Sequence, residues 1–169
     1  MRGFDTRPQL DDKIVNLHNE WDISSTKGNP LTNGIIGNIV EMNYDVWEFP
    51  GYLRNQANKI SIPILWLKLT GDEEDEWFES LPFDYQELTT GIPSLSSREE
   101  YIVIARLKRA VPLHGNFGYA ITTWKAQGSE WSKVLLYPEP YWPRDKIERR
   151  KFLYTGITRA TDKLVVVKE

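Results

Sequence analysis

Residues 145–167 read DKIERRKFLYTGITRATDKLVVV, a charged opening that passes through a mixed segment into an almost unbroken apolar end. Pro143 lies just before this stretch, and Asp145 with Glu148 has the S/T/D-x-x-E spacing of a helix capping box. Leu153, Ile157 and Ala160 recur at helical spacing, the period of a face that packs on a sheet. The run KLVVV (163–167) is too continuously apolar for a strand with one wet face, and it reads as a strand buried in a parallel sheet. Upstream, YAITTW (119–124) and VLLYP (134–138) are short β-rich runs. A strand, a crossover helix and a second strand make an α/β layer.

The first two thirds of the chain reads mostly as β. KIVNL (13–17) and IIGNIVEM (35–42) are candidate strands, with a turn at Asn33–Gly34 between apolar segments. KISIPILWLKL (59–69) alternates Ile60, Ile62, Ile64 and Trp66 with other residues, the period of a half-buried strand. Pro63 lacks a ladder donor, which predicts an edge position. EYIVIARLKRA (100–110) reads as a further strand, while GDEEDEWFE (71–79) and TTGIPSLSSREE (89–100) read as surface loops. Short strands with Gly and Pro punctuation predict a small barrel of SH3-like or similar type. The cluster of Pro112, Gly115 and Gly118 predicts a boundary between a β domain over 1–112 and an α/β remainder over 113–169.

Composition supports a packed protein. Of 169 residues 40% are apolar, and seven Trp, eight Tyr and six Phe can fill a core. Cysteine is absent, so disulfides and thiolate metal sites are excluded, and a zinc site on His18 and His114 would need carboxylates. The opening MRGFDTRPQLDD has no apolar signal region, and ISIPILWL (60–67) is too short to span a bilayer, so a cytoplasmic protein without a membrane partner is expected. The net charge of -3 does not mark a general polyanion binder. RLKRAVPLH (106–114) and RDKIERRK (144–151) are nevertheless basic, and such faces can meet phosphates.

Trp124–Trp131, WKAQGSEW, is too polar for a core strand and too aromatic for a solvated loop. GYAITTWKAQGSEW (118–131) and ERRKFLYTGITRATDKLVVV (148–167) together resemble the last two motifs of superfamily 1 DNA helicases. The nearest branch is the RecD-like and phage Dda-like one, with UvrD and Rep more distant. The first stretch is similar to T-x-H-K-x-Q-G-x-E and the second to Y-x-x-x-T-R-A. Upstream, DDKIVNLHNEWD and NPLTNGIIGNIVE resemble the start of the SH3-like insertion that this branch carries in its second motor domain. The resemblance implies an α/β fold: a partial RecA-like, P-loop NTPase-type parallel sheet with an inserted SH3-like β-barrel.

The resemblance also assigns roles. It makes Arg159 the arginine finger that stabilises charge on the γ-phosphate of ATP; the alternative is a helix-terminal arginine on the helix dipole. It puts Gly128 near the phosphates and Glu130 at the ribose hydroxyls, where the alternative for Glu130 is a surface pair with Lys133. Lys125 and Gln127 lie where nucleotide couples to DNA, and Thr158 belongs to the same set. Thr122 and Thr123 are candidates for contacts to a DNA phosphate, or simply residues of a buried strand. Trp124 stands where the family has histidine, so it either stacks on a base or belongs to the core. Tyr154 is expected at a domain interface or in the core. Arg149 and Arg150 could reach phosphate or pair with Glu148.

The chain has no G-x-x-x-x-G-K-[ST] loop, its one Lys-Gly pair being Lys27–Gly28, and DEEDE (72–76) lacks the preceding apolar strand of a magnesium-holding motif. The resemblance therefore implies the C-terminal part of an ATP-dependent DNA helicase without the Walker A half, inactive alone. ATP and Mg2+ would be bound only in the complete motor. Its partners would be single-stranded DNA and an N-terminal helicase domain, in a bacterial or phage-infected cell. A stand-alone, non-catalytic module that binds single-stranded DNA or protein remains the alternative, so whether the chain is an enzyme stays open.

Overall fold

A computed structural model describes residues 7–71, 75–124, 126–128, 130–137 and 145–167, which divide into two units, Met1–Tyr119 and Ala120–Glu169. The first unit contains β1 (Lys13–Asn16), β2 (Glu20–Ser24), β3 (Pro30–Leu31), β4 (Ile36–Phe49), β5 (Ile60–Thr70), β6 (Trp77–Asp84), α1 (Tyr85–Thr90), α2 (Ser97–Ile102) and β7 (Gly115–Phe117). A 3-10 turn follows β4 at Gly51–Arg54, and a π-helical stretch, Val103–Leu107, follows α2. The second unit contains β8 (Trp131–Leu136), α3 (Lys146–Ile157) and β9 (Ala160–Val166).

Strand β5 explains the first unit. Its side chains alternate between two faces, and each face is buried over a different part of its length. Ile60, Ile62 and Ile64 enter one cluster with Phe49, Leu95 and Val103. Leu65, Leu67 and Leu69 enter a second with Ile14, Ile39, Phe78, Leu81 and Phe83. The burial phase switches between Ile64 and Leu65, adjacent residues that are both fully buried. The expected alternation holds as far as Trp66, which is half-buried against the cluster of Ile60, Ile62 and Ile64 and donates its Nε1–H to Asp45 at 3.1 Å.

The sheet runs β6-β5-β4-β1-β7, with every pairing antiparallel. Strand β5 is therefore interior, and the edge position expected from Pro63 is corrected. The proline is tolerated because pairing with β6 ends at Ile64–Asp84, leaving Pro63 with Val46 of β4 as its register neighbour. A parallel bridge joins Phe83 to Leu113, just before β7. Leu113 N–H donates to the Pro82 carbonyl at 2.7 Å, and Asp84 N–H donates to the Leu113 carbonyl at 3.0 Å. The lead-in of one edge strand thereby rests on the other edge strand. The turn at Asn33–Gly34 forms, but it joins different sheets, since β3 pairs with β2 and β4 with β1.

Two expectations fail around residue 100. The expected strand over 100–110 is α2 continued by the π stretch, and the expected loop over 89–100 holds the end of α1 and the start of α2. Ser96 accepts from the Glu99 N–H, and the Glu99 carboxylate accepts from the Ser96 N–H at 2.7 Å, a complete capping box. That local start signal and the burial of Val103 override the β-branched character of Ile102, Val103 and Ile104. Asp84 caps α1 through the N–H groups of Gln86 and Glu87 and accepts from Ser94 N–H at 2.6 Å, which ties down the connection between the helices.

In the second unit β8 and β9 are parallel, with Trp131 opposite Ala160 and Leu136 opposite Val166, and α3 forms the crossover between them. Asp145 caps α3 by accepting from Ile147 N–H at 3.1 Å. The capping box expected with Glu148 does not form, and Glu148 pairs with Lys151 at 2.9 Å. Pro143 lies outside the described residues. Residues 119–124 form no strand, contrary to expectation. Nor is KLVVV buried: Val165 is 45% exposed, and opposite it Leu135 is 68% exposed. Among the described residues this parallel sheet has two strands and one helix, too little to cover both faces. No helix among the described residues is long and apolar enough to cross a membrane.

His114 joins three elements of the first unit. Its Nδ1 lies 2.9 Å from Glu87 of α1 and its Nε2 lies 2.9 Å from Glu100 of α2, while its ring packs on His18 with centroids 4.4 Å apart. The hydrogen bond to Glu87 is the main reason that its pKa rises to about 8, against the cost of burial. The raised value means that the bound proton stabilises the fold. That stabilisation is complete below the ordinary histidine value near 6.5 and is lost as pH climbs through 8. Hydrogen exchange of the Leu65 and Leu67 amides, corrected for intrinsic rates, should show protection weaker by on the order of 1–2 kcal/mol at pH 9 than at pH 6. His114→Gln should flatten that dependence; equal slopes in both proteins would contradict the role given to His114.

Candidate functional site

The two motif segments meet at one end of the β8–β9 pair. Parallel strands begin on the same side, and the register sets Trp131 beside Ala160. Trp131 N–H donates to the Arg159 carbonyl at 2.9 Å. Glu130 and Arg159, the residues immediately before the two strands, are therefore brought to a common edge. The earlier part of the loop lies against α3. Thr123 is buried, and its methyl sits 3.5 Å from where a Cβ on Gly156 would be. Trp124 packs edge-on to Phe152, with centroids 5.9 Å apart at 71°.

Between these anchors the chain turns tightly. Ala126 N–H donates to the Thr122 carbonyl at 3.0 Å, and Ala126 is buried. Gly128 has φ +95, a conformation that a side chain disfavours, yet a Cβ there would meet nothing within 4 Å. Its glycine is thus required by the backbone rather than by crowding, and the space over it is open. Gln127 and Glu130 are exposed, and the ion pair of Glu130 with Lys133 does not form. Thr122 is exposed. Lys125 lies outside the described residues.

Arg159 folds onto the C-terminal end of α3. Its Nε donates to the Thr155 carbonyl at 3.1 Å and its Nη2 to Thr158 Oγ1 at 3.1 Å. Thr158 Oγ1 in turn donates to the Tyr154 carbonyl at 2.9 Å. The guanidinium fork is engaged, not free as a projecting residue would be, because the terminal carbonyls of a helix attract a cation. These acceptors are neutral, so a phosphate oxygen would be a stronger partner for the same donors.

Trp124 is 53% exposed and Tyr154 is 72% exposed, which removes the core alternative for each. Arg149 and Arg150 are exposed. The sequence motifs do not mark Gly156 or Phe152, yet Gly156 is where α3 approaches the strand: a Cβ there would stand 2.9 Å from Leu136 Cδ1. An isolated glycine inside a helical pattern was the available signal. Among the described residues no group of three or more His, Asp or Glu could hold a metal ion.

Gly156→Val should overpack the α3–β8 contact and cost about 1–3 kcal/mol, lowering hydrogen-exchange protection at Leu135 and Leu136. Gly128→Ala should leave those amides unchanged, since its strain is confined to the turn. Equal protection in the two variants would contradict the packing role of Gly156.

Residues 117–167 match the protein-family model for the UvrD-like helicase C-terminal domain. No curated protein matches the chain. The matched stretch holds the whole turn, α3 and both parallel strands, and this region is similar to the C-terminal region of UvrD-like superfamily 1 helicases.

Proposed function

We propose that the chain is the C-terminal segment of an ATP-dependent DNA helicase of the RecD-like and Dda-like branch. In this reading the second unit, Ala120–Glu169, is the last part of the second, RecA-like motor domain, and the first unit, which takes in β7, is mainly its SH3-like insertion. The observation that carries the proposal is the β8–β9 register, which sets Glu130 and Arg159 at one edge. Further support comes from the family match over 117–167 and from the bridge at Phe83–Leu113, which ties the lead-in of β7 to β6 at the opposite edge of the five-stranded sheet.

The residues fit a nucleotide bound mainly by another lobe. Open space over Gly128 admits a phosphate close to the backbone, and the exposed Glu130 carboxylate can accept from ribose hydroxyls. Arg159 would exchange the Thr155 carbonyl and Thr158 hydroxyl for the γ-phosphate, offsetting charge as it develops. ATP and Mg2+ would be held by the N-terminal helicase domain that carries the Walker A loop. Lys125 and Gln127 would pass the change towards single-stranded DNA. Thr122, Thr123 and Thr158 would lie along the same coupling path, with the exposed face of Trp124 available to stack on a base. The half-covered β8–β9 pair suits such a segment, since further strands of the motor domain would complete its sheet.

Mixed with an N-terminal half bearing the phosphate loop, the chain should support DNA-stimulated ATP hydrolysis, measured by phosphate release. Alone it should show none. Arg159→Ala should lower the stimulated rate by about 10³-fold or more, and Arg159→Lys should not restore it, because lysine lacks the fork. Turnover retained in Arg159→Ala would remove Arg159 from the role of finger.

A further inference from the structure

The first unit carries an open groove of about 750 Å³ where β4 runs into the 3-10 turn, walled chiefly by Trp47, Glu48, Phe49, Tyr52, Lys59 and Arg109. None of these residues belongs to the site described above. Two features make the groove more than a gap in the surface. The first is its aromatic wall: Tyr52 is 59% exposed, and Trp47 is half-buried, with its ring edge-on to Phe49 at 6.5 Å and to Trp66 at 5.9 Å. The second is the placement of Arg109. Its guanidinium stacks over Phe49 at 4.7 Å, and its Nη1 donates to the Glu48 carbonyl at 2.7 Å.

That arginine is delivered by unusual backbone. The π-helical stretch Val103–Leu107 ends at Lys108 with φ +52, and Arg109 N–H closes back on the Val103 carbonyl at 3.3 Å. π turns are rare and occur often at functional positions. The Phe49 ring and one hydrogen bond hold the guanidinium in place, while its Nε and Nη2 have no partner among the described residues. A held fork with unused donors is suited to a phosphate. Arg106 and Lys108 are exposed on the same basic run. Lys59 pairs with Glu48 at 2.5 Å, but both side chains are largely exposed, so an anionic ligand can compete for the amine.

Exposed rings beside cations match a strand with unpaired bases, which offers π faces and phosphates in alternation. A duplex keeps its base faces hidden. We propose that this groove binds single-stranded nucleic acid, with a base against Tyr52 and a backbone phosphate on Arg109. The choice of nucleic acid over other anionic aromatic ligands rests on the helicase reading above.

The test uses the full chain with oligo-dT and oligo-U carrying 5-iodouracil, photo-crosslinked at low salt and mapped by mass spectrometry. Crosslinks at Trp47 or Tyr52 are expected, and the stronger of the two oligonucleotides identifies the preferred sugar. Tyr52→Ala should weaken binding about tenfold, and Lys59→Glu should weaken it with a shallower salt dependence. Both positions are exposed, and circular dichroism checks that each variant folds. Crosslinks confined to residues 122–131 would overturn the groove while leaving the helicase reading intact. Failure of both oligonucleotides to bind at low salt would overturn the groove and the DNA-coupling part of that reading together. Self-association abolished by Tyr52→Ala, without crosslinking, would assign the groove to a second copy of the chain and overturn the proposal.

Discussion

The hydrogen bond from Trp131 N–H to the Arg159 carbonyl is the contact on which the second unit depends. It begins a parallel pairing that only a crossover can produce, and α3 supplies that crossover. Because parallel strands start at the same end, the segments that lead into them must lie side by side. Residues well separated in the chain, Glu130 and Arg159, become neighbours at one edge. Gly156 lets the helix come close enough to β8 for the loop residue Thr123 to reach it as well. A side chain at that glycine would meet the end of the buried Leu136 side chain, which would have to shift.

The first unit is built on a different constraint. One strand, β5, supplies the apolar residues for two cores by switching its buried face at Ile64–Leu65. Neighbouring elements must then cover opposite faces at different heights: β6 and β1 meet Leu65–Leu69, whereas Leu95 and Val103 meet Ile60–Ile64. The same arrangement fixes the chain after α2, where Val103 is buried and the π stretch that follows turns Arg109 back onto Phe49. His114, held between Glu87 and Glu100, ties both short helices to the lead-in of β7.

Much of this was legible in the sequence where local signals agreed. Asp145 announced the start of α3, and the ordered motifs predicted the pair of segments that the β8–β9 register brings together. The misreadings have physical causes. Ile102–Ile104 looks like a strand, but the Ser96–Glu99 cap outranks β-propensity. Pro63 looks like an edge residue, but the partner strand ends one residue away. KLVVV looks buried because parallel strands normally are, yet too few elements among the described residues surround it. Trp124 looks like either core or base platform, and its exposure, which excludes the core, is not something its sequence position reveals. The engaged state of the Arg159 fork depends on the carbonyls at a helix end, which residue spacing does not reveal.

The most direct measurement is hydrogen–deuterium exchange of the chain mixed with an N-terminal motor half, with and without a non-hydrolysable ATP analogue. A shared nucleotide-facing edge predicts that Gln127–Glu130 and Thr158–Ala160 gain protection together when the analogue is added. Protection in only one of the two segments, or in neither while the analogue is bound, would contradict it.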